Sequence, residues 1–268
     1  MDNRPIGFFD SGLGGLTCIP HLMKALPGES IIYFGDTART PYGSKAENTI
    51  RHFACEITDF LAAKDVKAIV IACNTVSAVC IDDLRRRRPD IPILGIISPA
   101  ARRVAGLCDE SNHIGIIGTK ATVGSNAYRR KITEYRPGLT IHETACPAFV
   151  PLIEEGIIAN DIMDLTIKYY LDRFMADNGI DTLVLGCTHY PLIRENIAKL
   201  FPAIRIIDPS EEIMTSISAV LRERDMFSDA SQGLRTFYAS DLSENFIAMI
   251  HRIFRGTGFT VAFKSFDL

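Results

Sequence analysis

Tryptophan is absent from the 268 residues, aromatic side chains make up only 9%, and there is no basic surplus: 29 Lys and Arg face 32 Asp and Glu, a net charge of −3. Proteins built around nucleic acid usually carry a positive excess and aromatic platforms for bases. Nucleic acid is therefore not an expected partner. No apolar run reaches the ~20 residues of a bilayer-spanning helix. The opening Met-Asp-Asn-Arg-Pro lacks the basic, apolar and small-residue sequence of a signal peptide. No membrane partner is expected, and the expected location is cytoplasmic. The seven cysteines (18, 55, 73, 80, 108, 146 and 187) are odd in number, and no pair has zinc-knuckle spacing. That excludes a disulfide framework and gives no support for a metal site. Most should be small core residues.

What is present is strand–helix alternation. Short runs rich in Ile and Val recur at Ile6–Phe9, Ile31–Phe34, Ala68–Ala72, Ile93–Ile97, His113–Ile117, Leu183–Leu185 and Ile204–Ile207. Nearly continuous apolar character over so few residues is how strands buried on both faces of a parallel sheet read. Helical spacing lies between them, over Ala46–Lys64 and Asp161–Asp177, and later over Glu211–Arg224 and Glu244–Arg255.

The chain also repeats itself. Ile6–Ser11 aligns with Ile114–Thr119, Ile69–Thr75 with Leu183–His189, and Ile96–Pro99 with Ile206–Pro209. The three matches fall in order, each about 110 residues on, too long a period for a solenoid. The expected fold is α/β, with two pseudo-symmetric halves whose largely parallel sheets face a central cleft. The expected boundaries give 1–98 plus 209–268 as the first half and 99–208 as the second. In this reading Phe237 and Val261–Phe263 return to add strands to the first half.

Each half carries one cysteine just past an apolar strand: Cys73 in Ala72-Cys73-Asn74-Thr75 and Cys187 in Gly186-Cys187-Thr188-His189. Ligands of open α/β sheets bind beyond the carboxyl ends of strands. Two halves facing each other would put the two sulfurs on opposite walls of one cleft, an arrangement suited to taking a proton from one face of a carbon and returning it to the other. A thiol of pKa about 8.5 needs a base or cation nearby to ionise. Asp10 and His189, at strand ends, are the candidate helpers. Taken singly, each cysteine could be mere packing and His189 a satisfied buried histidine.

Asp10-Ser11-Gly12-Leu13-Gly14-Gly15 fails both the dinucleotide and the P-loop patterns, although its glycines would let backbone approach a ligand. Gly35–Gly43 is a further polar loop in which Pro41 and Gly43 shape a turn. Arg85–Arg88 reads as a solvated helix end.

Together, Phe9–Gly15, Phe34–Gly43, Ala72–Thr75 and Gly186–Leu192 resemble the motifs of the aspartate/glutamate racemase superfamily, and within it those of the glutamate racemases. The resemblance implies a cofactor-independent isomerase that interconverts L- and D-glutamate and supplies D-glutamate for peptidoglycan. It implies Cys73 and Cys187 as acid/base thiols, for the D- and L-enantiomer respectively, assisted by Asp10 and His189. Ser11, Asn74, Thr75 and Thr188 would contact the polar groups of the substrate, Asp10 and His189 would border it, and Tyr42 and Gly43 would lie near its side-chain carboxylate. Thr119, the repeat partner of Ser11, joins them. Homodimers are common in such families. The readings left open are an aspartate racemase, a one-thiol decarboxylase or hydrolase, and a two-lobed small-molecule binder.

Overall fold

In the computed structural model, residues 1–254 and 258–266 are described. Ten strands occur among them: β1 Ile6–Asp10, β2 Ile31–Gly35, β3 Ala68–Ile71, β4 Ile93–Gly95, β5 His113–Gly118, β6 Thr140–Ala145, β7 Thr182–Gly186, β8 Arg205–Ile207, β9 Arg235–Ala239 and β10 Thr260–Phe263. The helices of the first stretch are α1 Cys18–Ala25, α2 Glu47–Ala63, α3 Asn74–Val79, α4 Ile81–Arg87 and α5 Ile97–Leu107. Then come α6 Lys120–Gly124, α7 Ala127–Tyr135, α8 Phe149–Glu154, α9 Asp161–Asn178, α10 Arg194–Leu200, α11 Pro209–Glu223 and α12 Glu244–Ile253. The expected end of the last helix at Arg255, and the chain end at 267–268, lie outside the described residues.

Two sheets form, ordered β10-β9-β2-β1-β3-β4 and β6-β5-β7-β8, and every strand pair is parallel. The run β2-β1-β3-β4 recurs as β6-β5-β7-β8, so the sequence repeat is a repeat of topology. The α/β class with two largely parallel sheets is as the sequence indicated.

Period-two alternation explains why the strands are apolar throughout. In β1, Ile6 and Phe8 enter one core and Phe9 another; in β3, Ala68 and Val70 part from Ile69 and Ile71 in the same way. In the second sheet Ile114, Ile116 and Val184 join the first of those cores, while Ile117, Leu183 and Leu185 face a third. One core therefore runs continuously through both halves, and each half has an outer core of its own. Burying each such Ile or Phe contributes about 1.5–3 kcal/mol. α2 seals the outer core of the first half with Ile50, Ala54, Ile57 and Leu61, spaced along one helical face. α11 starts with Pro209 behind an Asp208 N-cap and packs against both α1 and α5, which makes it a strut between the halves.

Two expectations need correction. The strand expected over Ile93–Ile97 ends at Gly95, and Ile97 already opens α5. An unbroken apolar run cannot mark where a strand hands over to a buried helix. The strand β6 was not expected, because only Ile141 of its six residues is buried. It is an edge strand, and its Thr, His and Glu side chains hide it.

Among the described residues no helix is long and apolar enough to cross a membrane. The four arginines of 85–88 do end a helix, α4, and pair with Asp82, Asp83, Asp59 and Asp90.

Candidate active site

The strands β1, β3, β5 and β7 all point their carboxyl ends to one place. Cys73 follows β3 as the extended N-cap of α3, and Cys187 follows β7 directly. Both are nearly buried, at 3% and 5% exposure, and both line a single small pocket. Ser11, Tyr42, Gly43, Asn74 and Thr75 line it from the first half, and Thr119, Thr188 and His189 from the second. Asp10 is fully buried behind the lining and bonded into it.

The two sulfurs have different surroundings. Cys73 Sγ donates to Ser11 Oγ at 3.5 Å. Burial, and then the charge of Asp10, push its thiol up to about 12, so at neutral pH it holds its proton. Cys187 Sγ lies 3.9 Å from His189 Nδ1, and His189 Nε2 lies 3.0 Å from Glu154 Oε1. Burial works against charge on this imidazole. Its contacts with Cys187 and Glu154 and the charge of Asp10 outweigh that, and raise it to about 10. The shift favours the cationic form of His189. Asp10 is raised by burial, partly offset by His189 and by the amides of Gly15 and Gly12 and the Thr188 hydroxyl.

Two residues of the lining carry polar atoms with no hydrogen-bond partner among the described residues. Asn74 Oδ1 accepts from Tyr128 OH at 2.5 Å, which leaves Asn74 Nδ2 buried and unbonded. Thr40 Oγ1, also in the lining, is buried and unbonded. Buried polar atoms are nearly always satisfied, so orphans in a pocket wall mark places for a ligand. Thr119 Oγ1 is 3.0 Å from both Thr75 Oγ1 and Thr122 Oγ1, a hydroxyl cluster that ties the halves together. The Tyr42 hydroxyl is engaged elsewhere: it donates to Asp36, which also accepts from Arg39 Nε at 2.8 Å and Ser240 Oγ at 2.7 Å.

The glycines after β1 serve the protein itself. A Cβ at Gly14 would stand 2.5 Å from Thr188 Oγ1 and 2.7 Å from His189 Nδ1. Close approach of the second half needs a bare backbone there. The sequence reading allowed a ligand to approach these glycines; beside Gly14 the structure places Thr188 and His189.

Glu154, Val150 and Thr40 were not expected at the site. Glu154 and Val150 lie on α8, which has no counterpart among the sequence matches, and nothing distinguishes Glu154 from its neighbour Glu155 before folding. Among the described residues, one group has donors spaced for a cation: His21, Asp208 and Glu211. Glu211 is paired with Arg194 at 2.8 Å, Asp208 caps α11, and none of the three lines this pocket.

The Asp/Glu/Hydantoin racemase family model matches residues 16–217. The chain is 41% identical over 258 residues to a glutamate racemase of Geobacter metallireducens, covering 96% of this chain and 94% of that protein. It is 44% identical over 257 residues to a glutamate racemase of Chlorobaculum tepidum, covering 95% and 93%. The crystal structure of glutamate racemase from Francisella tularensis subsp. tularensis SCHU S4 in complex with D-glutamate superposes with a TM-score of 0.91 at 39% identity, covering 100% of this chain and 98% of that one. Motifs, doubled topology and relatives over almost the whole length agree that this chain belongs to the Asp/Glu/hydantoin racemase family of isomerases.

Proposed function

We propose that the protein interconverts L- and D-glutamate by two-base proton transfer at Cα, with Cys73 and Cys187 as the two bases, and that it supplies D-glutamate for peptidoglycan. One observation carries the reading: the two cysteines at equivalent repeat positions line the same small pocket.

In the L-to-D direction Cys187, as thiolate, takes the Cα proton. Cys73, which holds its proton at rest, delivers one to the opposite face. The cation on His189 stabilises negative charge on the Cys187 sulfur, and Glu154 holds that cation in place. In the reverse direction Cys73 must lose its proton, and the buried carboxylate of Asp10 is the adjacent base. Each positioned acid or base contributes about 10²–10⁴-fold. Charge developing on the substrate is met by donors fixed in a dry pocket, where they act most strongly. Ser11, Asn74, Thr75 and Thr119 supply them, Thr188 borders the substrate with its hydroxyl given to Asp10, and Tyr42 and Gly43 lie at the side-chain carboxylate. The unbonded Asn74 Nδ2 supports this assignment.

The strand membership of the two sheets supports 1–98 with 209–268, and 99–208, as the two halves that close on the substrate. A homodimer and a cytoplasmic location belong to the same reading. Aspartate is the competing substrate, and the glutamate racemases among the relatives favour glutamate. Steady-state racemisation of glutamate and aspartate, with no added cofactor, tests the choice: glutamate turnover is expected to dominate, and a preference for aspartate overturns it.

A further inference from the structure

The wall formed by Thr40, Pro41, Tyr42 and Gly43 has a support that begins at the far end of the chain. After β10, the Lys264 amide donates to Ala239 O at 3.0 Å, which continues the pairing and aims the next residues back over α2. Phe266 then settles on Phe34 at 5.3 Å and Phe60 at 6.2 Å between ring centroids. Two cations meet its ring, one of them Lys264 Nζ at 5.0 Å from the centroid. The Arg39 guanidinium carbon lies 5.0 Å from the Phe266 centroid, with the Phe53 ring at 4.0 Å.

Arg39 is 5% exposed, so its cation must be compensated from within. Nε bonds Asp36 at 2.8 Å and Nη1 bonds Glu56 at 2.5 Å, while Nη2 is buried with no hydrogen-bond partner among the described residues. The ring faces are what remain to compensate the guanidinium. Asp36 in turn accepts the hydroxyl hydrogen of Tyr42, and Tyr42 packs on Phe53 at 5.6 Å. A chain of contacts thus runs from Phe266 through Arg39 and Asp36 to Tyr42, and stops at the pocket wall.

We propose that Phe266 is a positioning residue for the substrate's distal carboxylate: by fixing the Arg39 guanidinium, and through it Asp36 and Tyr42, it holds the Thr40–Gly43 wall in its binding shape. This rests on the glutamate reading, which puts that carboxylate against Tyr42 and Gly43. The chemistry at Cα involves none of these groups, so loosening the wall weakens binding and leaves the proton transfers alone.

The test compares Phe266→Tyr, Phe266→Leu and Phe266→Ala with the wild type, well below each melting temperature. Phe266→Tyr keeps a ring face and should match the wild type. Phe266→Leu fills the space without a π face and should raise KM for both enantiomers about threefold, and Phe266→Ala about tenfold, with kcat within about twofold. The ¹⁵N–¹H resonance of Arg39 Nε should shift in Phe266→Leu, a change that reads the guanidinium without any turnover. If Phe266→Ala does not fold, Phe266→Leu decides. Unchanged KM and an unmoved Arg39 resonance in Phe266→Leu overturn the proposal, as does a loss confined to kcat. Failure of the wild type to racemise glutamate overturns the functional reading instead, and the Arg39 resonance still judges Phe266.

Discussion

The hydroxyl of Thr188, beyond β7, donates to Asp10 Oδ1 at the end of β1 across 3.2 Å, and both residues are buried. The bond spans 178 positions of sequence and fastens the second half to the first at the floor of the pocket. It also helps a buried carboxylate carry charge beside Cys73. Hydrogen bonds to charged groups contribute about 1.5–3 kcal/mol. Thr188→Val keeps the shape and deletes the donor, so kcat/KM measured by circular dichroism should fall about 10- to 100-fold. A loss under about twofold would show that the bond does not matter to the reaction.

The charge on His189 predicts a pH dependence. Its ordinary value is 6.5, and its surroundings raise it to about 10. A group raised on folding stabilises the native state fully below its unfolded value, and that stabilisation disappears as pH climbs through the folded one. The difference in melting temperature between wild type and His189→Gln should therefore be largest below pH 6.5 and shrink steadily towards pH 10. A gap that widens over this window has the wrong sign for the account.

Glu154→Gln keeps the size of the side chain but removes its negative charge. An NMR titration of the His189 imidazole should then show a lower pKa than in the wild type. Loss of the cation beside Cys187 should slow Cα exchange of L-glutamate more than that of D-glutamate, since the proposed mechanism gives Cys187 the L-face. Equal slowing of both would mean that Glu154 acts through general stability alone.

Gly14→Ala should be costly despite its small size. The new Cβ would lie 2.8 Å from the backbone carbon of Thr188 as well as close to His189, and a backbone atom cannot swing aside. Overpacking of this kind costs about 1–3 kcal/mol. Chemical denaturation should read that loss, with activity falling further than stability because His189 is displaced. A variant as stable and active as the wild type would mean that the halves do not close as the structure has them.

Much of this molecule was legible before folding, for definite reasons. Strands buried on two faces announce themselves as apolar runs, and a repeat of about 110 residues announces two halves. Ser11, Asn74, Thr75, Thr119 and Thr188 follow strand ends, where open α/β sheets place their ligands. The strand β6 was hidden by its own polarity, yet the repeat demanded it, since β2 needed a counterpart beside β5. Glu154 was invisible because its role comes from where α8 packs against His189. The contact of Phe266 with Arg39 was invisible because 227 positions separate the two, and only the return of β10 to the first sheet brings them together.

Proton exchange at Cα decides the two-thiol assignment. Each enantiomer of glutamate is incubated in deuterated water with wild type, Cys73→Ser or Cys187→Ser, and both the Cα signal and the configuration are followed. Deuterium is expected at Cα of both enantiomers with wild type. Racemisation should be lowered by about 10²–10⁴-fold or more in each variant, with residual exchange, where it survives, confined to the enantiomer facing the remaining thiol. Wild-type racemisation in either single variant would contradict the assignment.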